Sequence, residues 1–215
     1  MIKILFYYLT PPIILKLIIF IRKYFANQDY QKLFDGDDAL FKEYILNANT
    51  FAEYGCGAST IWVFKNTNST ILSVDSSAIW IDKVNKSCGN SNKIKLHYAN
   101  IGRVKDWGVP VNYEKFSNFN EYTDWIWEQN ISPDIVLIDG RFRVCCFLTS
   151  LLYAKEGVLI FFDDYTNREE YHIVERFIKP IRICGRQSLF CVPNKDELNL
   201  DEIKIFIHNF RFVYN

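Results

Sequence analysis

Three aspartates stand where strands should end: Asp139 closes the apolar run IVLI, and Asp163 and Asp164 close VLIFF. A carboxylate in such a place can take a proton from a hydroxyl, or it can cap the helix that follows. Arg141 and Arg143 come just after Asp139. A guanidinium fork suits a carboxylate or phosphate of a substrate, and it suits an ion pair with Asp163 or Asp164 equally well. His172, one of three histidines, follows the Asp163-Asp164 pair within REEYH. It is either a proton shuttle or a structural histidine. The three carboxylates leave a divalent cation open as an option, though no metal is expected. Upstream, FAEYGCGAST (51–60) places Gly55 and Gly57 in a turn, and TILSVD (70–75) ends on Asp75. Glycines let a backbone approach a ligand closely, and the helix that follows offers free N–H groups.

These residues need elements to position them. From residue 50 onward, short apolar runs alternate with amphipathic stretches. The runs are 50–55, 70–75, 93–100, 133–139 and 156–164; helix candidates fall at 58–65, 77–87, 120–130, 142–154 and 168–178, with another at 39–48. Mostly apolar runs such as IVLI suit strands buried on both faces. Strand and helix taking turns predicts a doubly wound, mostly parallel α/β sheet. RICGRQSLFCVP (182–193) reads as a closing hairpin turning near Gly185. In such a sheet ligands gather at the carboxyl ends of the strands, which is where the aspartates and glycines fall.

A dinucleotide fingerprint needs a third small residue, and Thr60 stands in its place, which argues against NAD. Glu53-Tyr54-Gly55-Cys56-Gly57 instead resembles motif I of the class I S-adenosylmethionine-dependent methyltransferases. The resemblance covers roughly residues 50–193 and implies the seven-stranded Rossmann-like sheet of that superfamily, with S-adenosyl-L-methionine as cofactor. It implies that Glu53, Gly55, Gly57 and Ser59 lie by the cofactor, that Asp75 with Ser76 meets the ribose hydroxyls, and that Asn100 lies near the adenine or simply makes the turn out of its strand. IDGRFRV…DDY…R…YHIVE further resembles a group of small bacterial methyltransferase-like proteins. On this reading Asp139, Arg141, Asp163 and His172 form the catalytic rim, with Asp139 the first candidate base. The expected activity is O-methylation of a small hydroxylated acceptor, such as a sugar of a surface glycan. The alternative is a non-catalytic binding or scaffold module that kept the fold.

Bulk properties agree with small-molecule chemistry. The 215 residues carry 25 basic and 25 acidic side chains, and no polybasic block suggests nucleic acid. None of the six cysteines has CxxC spacing, so they read as small buried residues of a reducing compartment, not as zinc ligands. Thr10-Pro11-Pro12 starts a helix that runs to about Phe25 and is interrupted by Lys16. At about 1.5 Å per residue it spans roughly 22 Å, short of a hydrocarbon core of about 30 Å. The expectation is a cytoplasmic protein resting on the inner face of the membrane through residues 11–25. A dimer-forming helix, one packed on its own domain, and a true span are the alternatives. Residues 26–193 would form the methyltransferase-like domain and 194–215 a C-terminal tail. The segment 102–130 holds three of the five tryptophans and reads as a lid or substrate wall, or else as an aromatic plug over the core.

Overall fold

In the strands both side-chain parities are apolar, so each strand needs cover on both faces. The computed structural model describes residues 33–34, 36–89 and 91–214; the helix expected at 11–25 lies outside them. Five parallel strands, β1 (Thr50–Tyr54), β2 (Thr70–Asp75), β3 (Ile94–Tyr98), β4 (Ile135–Ile138) and β5 (Leu159–Phe162), are followed by the hairpin β6 (Arg182–Cys184) and β7 (Gln187–Cys191). The sheet order is β3-β2-β1-β4-β5-β7-β6, with β7 antiparallel to β5. The hairpin turns at Gly185, as the sequence indicates.

One face of the sheet carries Ala52, Tyr54, Leu72, Val74, Val136, Ile138, Ile160 and Phe162. They pack against two helices, α5 (Arg143–Tyr153) and α6 (Leu200–Phe210). The other face carries Phe51, Ile71, Ile135, Leu137 and Phe161. It is covered by α1 (Ala39–Ile45), through Leu40, Phe41 and Ile45, and by Val63 of α2 (Ala58–Asn66). Helix α3 (Ala78–Cys88), capped by the Ser77 hydroxyl, closes the β2 side through Val84 and Cys88.

Three expected elements take a definite form in the folded chain. The segment expected as a C-terminal tail packs on the domain, since Ile203 and Ile207 of α6 enter the main core and Arg211 pairs with Asp124 at 2.9 Å. The stretch expected at 120–130 breaks into α4 (Phe119–Thr123) and a 3-10 turn, Trp125–Glu128. At the break the Thr123 carbonyl accepts a hydrogen bond from the Tyr54 hydroxyl at 2.8 Å. Residues 169–176 are 3-10 rather than α-helical, and their buried residues, Tyr171 and Val174, are spaced by three as that helix requires. All six cysteines are free, four of them buried. Among the described residues no helix is long and apolar enough to cross a membrane.

Candidate active site

The strand order reverses between β1 and β4, and a crevice at the carboxyl ends is expected at such a switch point. There the loops after β1 and β4 cross at their glycines. Gly55 has φ +97°, and a Cβ added to it would lie 2.8 Å from both the Asp139 carbonyl oxygen and the Gly140 Cα. A Cβ on Gly140 would collide with the Tyr122 hydroxyl. That hydroxyl accepts the Arg141 N–H at 3.0 Å. Gly57 differs, since a Cβ there would meet nothing within 4 Å. The turn is closed beneath and open above.

Glu53 holds this turn from below. Strand alternation puts it on the same face as Phe51, and in register it faces Ser73. Its carboxylate is fully buried and accepts from Ser59 Oγ at 2.8 Å, Ser73 Oγ at 2.9 Å and the Thr60 hydroxyl. Thr60 Oγ1 in turn accepts the Gly57 N–H at 2.8 Å. Burial raises the Glu53 pKa to about 7 against the pull of the three hydroxyls. Glu53 and Ser59 therefore stiffen the turn from the core side. Thr60, which argued against NAD, ties the carboxylate to the glycine backbone.

Asp75 sits across from the turn. Its Oδ2 accepts the Cys56 N–H at 2.9 Å and its Oδ1 the Ser77 N–H at 2.6 Å. A carboxylate has about four acceptor sites, and the Cys56 thiol also bears on Asp75, so capacity remains for a ligand hydroxyl. Burial lifts its pKa to about 6. Ser76 turns its hydroxyl to the Gly108 carbonyl at 2.9 Å. This bond pins the tip of a small hairpin in which Lys105 N–H meets Val109 O at 2.7 Å and Val111 N–H meets Arg103 O at 2.9 Å. The tip carries Trp107, 78% exposed and left-handed at φ +62°. The aromatic segment is thus divided. Its hairpin stands beside Asp75, while Phe119, Tyr122 and Ile126 are core. Asn100 makes a turn, its Oδ1 taking the Gly102 N–H at 3.4 Å.

The aspartates do meet at one rim, together with arginines. Arg143, buried, donates to Gly140 O at 3.0 Å and Asp163 O at 2.6 Å, and pairs with Asp139 Oδ1 and Asp164 Oδ2, both at 3.1 Å. Arg186 pairs with Asp163 at 2.8 Å and Asp164 at 3.0 Å, and Arg168 with Asp164 at 3.4 Å. Asp139 keeps 28% of its side chain exposed. Burial raises its proton affinity, Arg143 opposes this, and Asp163 and Asp164 push it further up. His172 engages Tyr165, the residue after Asp164: its Nε2 lies 3.0 Å from the Tyr165 carbonyl and its ring packs on the Tyr165 ring. Sequence reading missed Arg168, Arg186, Tyr122 and Gly140 as parts of the rim. The DG pair after β4 was the available signal for Gly140.

Ligand atoms of Asp139, Asp163 and Asp164 lie within 4.8 Å of one another, a spacing a hard cation uses. Arginines already engage an oxygen of each carboxylate, and Arg143 bridges Asp139 and Asp164. As these side chains stand, the carboxylates form an ion-pair network with the arginines, and Asp163 Oδ1 is left buried without a partner among the described residues.

No protein-family model and no curated protein matches the chain. Among solved structures, a methyltransferase-like protein from Silicibacter pomeroyi superposes with a TM-score of 0.73 at 26% identity, over 86% of this chain and 97% of that one. An O-methyltransferase from Bacillus cereus, solved in complex with S-adenosylhomocysteine, gives 0.49 at 13% identity over 86% and 93%. The N-methyltransferase NodS of Bradyrhizobium japonicum, solved with the same compound, gives 0.47 at 12% over 79% and 94%. The latter two likenesses are too loose to carry an argument. On the sheet order, the glycine crossing at its switch point and the first of these likenesses, the chain belongs to the class I S-adenosylmethionine-dependent methyltransferase superfamily.

Proposed function

We propose that the protein is an S-adenosylmethionine-dependent methyltransferase that O-methylates a small hydroxylated acceptor, such as a sugar of a surface glycan. The observation that carries the reading is the switch-point crevice. The open turn at Gly57 and the spare acceptor capacity of Asp75 lie on one side, and the partly exposed Asp139 carboxylate on the other. The turn and Asp75 suit the cofactor's amino-acid part and its ribose.

When bound, S-adenosylmethionine supplies an electrophilic methyl group on a sulfonium sulfur. Asp139 takes the proton of the acceptor hydroxyl as that oxygen bonds to carbon. A base of raised proton affinity suits this task near neutrality. Arg143 fixes one Asp139 oxygen and leaves the other for the acceptor. The glycine crossing and Tyr122 keep Asp139 at a set distance from the turn, which is the positioning a displacement at carbon requires.

Calorimetric titration with S-adenosylhomocysteine, with NAD as control, tests the cofactor. Uptake of the first alone is expected, and uptake of neither would make the non-catalytic module the better reading. Asp139→Asn should bind S-adenosylhomocysteine normally yet lose transfer of labelled methyl to a panel of sugars. Placement at the inner membrane face is motivated by the apolar sequence 11–25 with its Lys16, Arg22 and Lys23. Deleting residues 1–25 should move the protein from the membrane to the soluble fraction, and an intact protein already in the soluble fraction rejects the placement.

A further inference from the structure

Four arginines meet at the rim, and three of them face carboxylates: Arg143, Arg168 and Arg186. Arg141 does not. Among the described residues no carboxylate pairs with its guanidinium and no hydrogen bond engages it, and its Nε is buried without a partner. Its commitments are through the backbone: the N–H donates to the Tyr122 hydroxyl and the carbonyl accepts from Cys146 Sγ. An arginine is ordinarily free to lift its head into water. This one keeps the root of its fork buried beside another cation, Arg143, an arrangement that is costly without an anion.

Its place in the crevice indicates where that anion belongs. Arg141 follows Gly140, the glycine crossed by the Gly55 turn. Its charge acts on Asp75 on one side and on Arg143 and Arg168 on the other. The fork is thus within electrostatic reach of both Asp75 and the arginines of the aspartate rim. Helix α5 begins two residues later, at Arg143, with no side-chain cap, so its positive end adds to the same field.

We infer that Arg141 is the anion-binding residue of the crevice, taking a carboxylate or phosphate of the small molecule bound there. The inference rests on the methyltransferase reading and deepens it. Two sources share the chemistry: the carboxylate of the cofactor's amino-acid part, and an acidic group on the acceptor, as in a sugar acid or sugar phosphate. Arg143 is excluded from the role because its donors are already given to protein oxygens.

The test compares wild type, Arg141→Gln and Arg141→Lys by calorimetry with S-adenosylhomocysteine and with 5′-methylthioadenosine, the same nucleoside thioether without the amino acid. Thermal shifts with inorganic phosphate and glucuronate follow, at saturating S-adenosylhomocysteine. If the anion is the cofactor's, Arg141→Gln binds S-adenosylhomocysteine at least about tenfold more weakly, about 1.4 kcal/mol. It then binds methylthioadenosine as before, and lysine restores part of the loss. If the anion is the acceptor's, both nucleosides bind the variant normally, but phosphate or glucuronate raises the melting temperature of the wild-type complex only. An Arg141→Gln protein with unchanged nucleoside affinities and unchanged anion response overturns the inference. A wild type that binds neither nucleoside overturns the methyltransferase reading, and this inference with it.

Discussion

Replacing Glu53 with glutamine should change how stability depends on pH, and the size of the change follows from the site. The Glu53 carboxyl rises from an ordinary 4.5 to about 7, because burial outweighs its bonds to Thr60, Ser59 and Ser73. Between those values the unfolded chain has released this proton and the native chain has kept it, so stability falls as pH rises. At about 1.4 kcal/mol per pH unit, the contribution comes to about 3 kcal/mol. It is fully present below pH 4.5 and gone above about pH 7. Glutamine has the same shape and no proton to lose, and a serine hydroxyl can turn to accept from its amide. Asp75 and Asp139 titrate in both proteins and largely cancel in the comparison. Urea unfolding of both proteins at pH 4.5 and 7.5 should show the variant gaining about 3 kcal/mol on wild type across that range. A stability difference that stays constant between the two pH values would mean that Glu53 ionises like an exposed acid. The closed hydroxyl nest beneath the glycine turn would then be wrong.

Asp75→Asn should weaken S-adenosylhomocysteine binding by about 10–100-fold, the worth of hydrogen bonds to a charged acceptor; calorimetry alongside circular dichroism separates this from unfolding. Gly140→Ala should destabilise the domain by about 1–3 kcal/mol through overpacking against the Tyr122 hydroxyl. Adding Tyr122→Phe should recover part of that loss in a denaturant titration. Chelation should leave methyl transfer unchanged, since arginines hold the rim carboxylates; a rate lost with chelator and restored by magnesium would show that a cation displaces Arg143. Arg103 and Lys105 are exposed in the hairpin pinned to Ser76. S-adenosylhomocysteine should slow trypsin cleavage there, and an unchanged rate would mean that the hairpin takes no part in closing the site.

The sheet was legible because its strands announce themselves twice: IVLI and VLIFF are apolar at both parities, and each ends on aspartate. The glycine turn and Asp75 were legible because they belong to consecutive strands, so short-range order places them together. The parity that Glu53 shares with Phe51 was the available signal that it points under the sheet, and the sequence reading, which placed Glu53 by the cofactor, did not use it. The arginine network was hidden for a different reason. Arg186 lies in a hairpin turn 23 residues beyond Asp163, and only the antiparallel pairing of β5 with β7 brings the two together. Helix α6 was passed over although its buried Ile203 and Ile207 are spaced by four; the exposed Ile205 interrupts an outer face that is otherwise polar at Asp201, Lys204, His208 and Asn209.

Where local preference is broken, the rim accounts for the breaks. Trp107, Phe142 and Asp164 are the non-glycine residues at positive φ among those described, and they follow β3, β4 and β5 in turn. Such conformations cost about 1–3 kcal/mol each and persist only where neighbours over-determine them. Phe142 is held by rings, with Phe119 at 4.9 Å and Tyr122 at 5.5 Å. Asp164 is held by Arg143, Arg168 and Arg186. Trp107 is spanned by the hairpin's own backbone bonds, Lys105 N–H to Val109 O and Gly108 N–H to Lys105 O; the side-chain bond there is that of the Ser76 hydroxyl to the Gly108 carbonyl, and the ring is exposed. The strain is therefore locked on the acceptor side of the crevice and lightly held on the Asp75 side. A ligand arriving at Asp75 meets the one strained loop whose side-chain hold is a single hydrogen bond, which makes that hairpin, rather than the aspartate rim, the part of the site free to adjust.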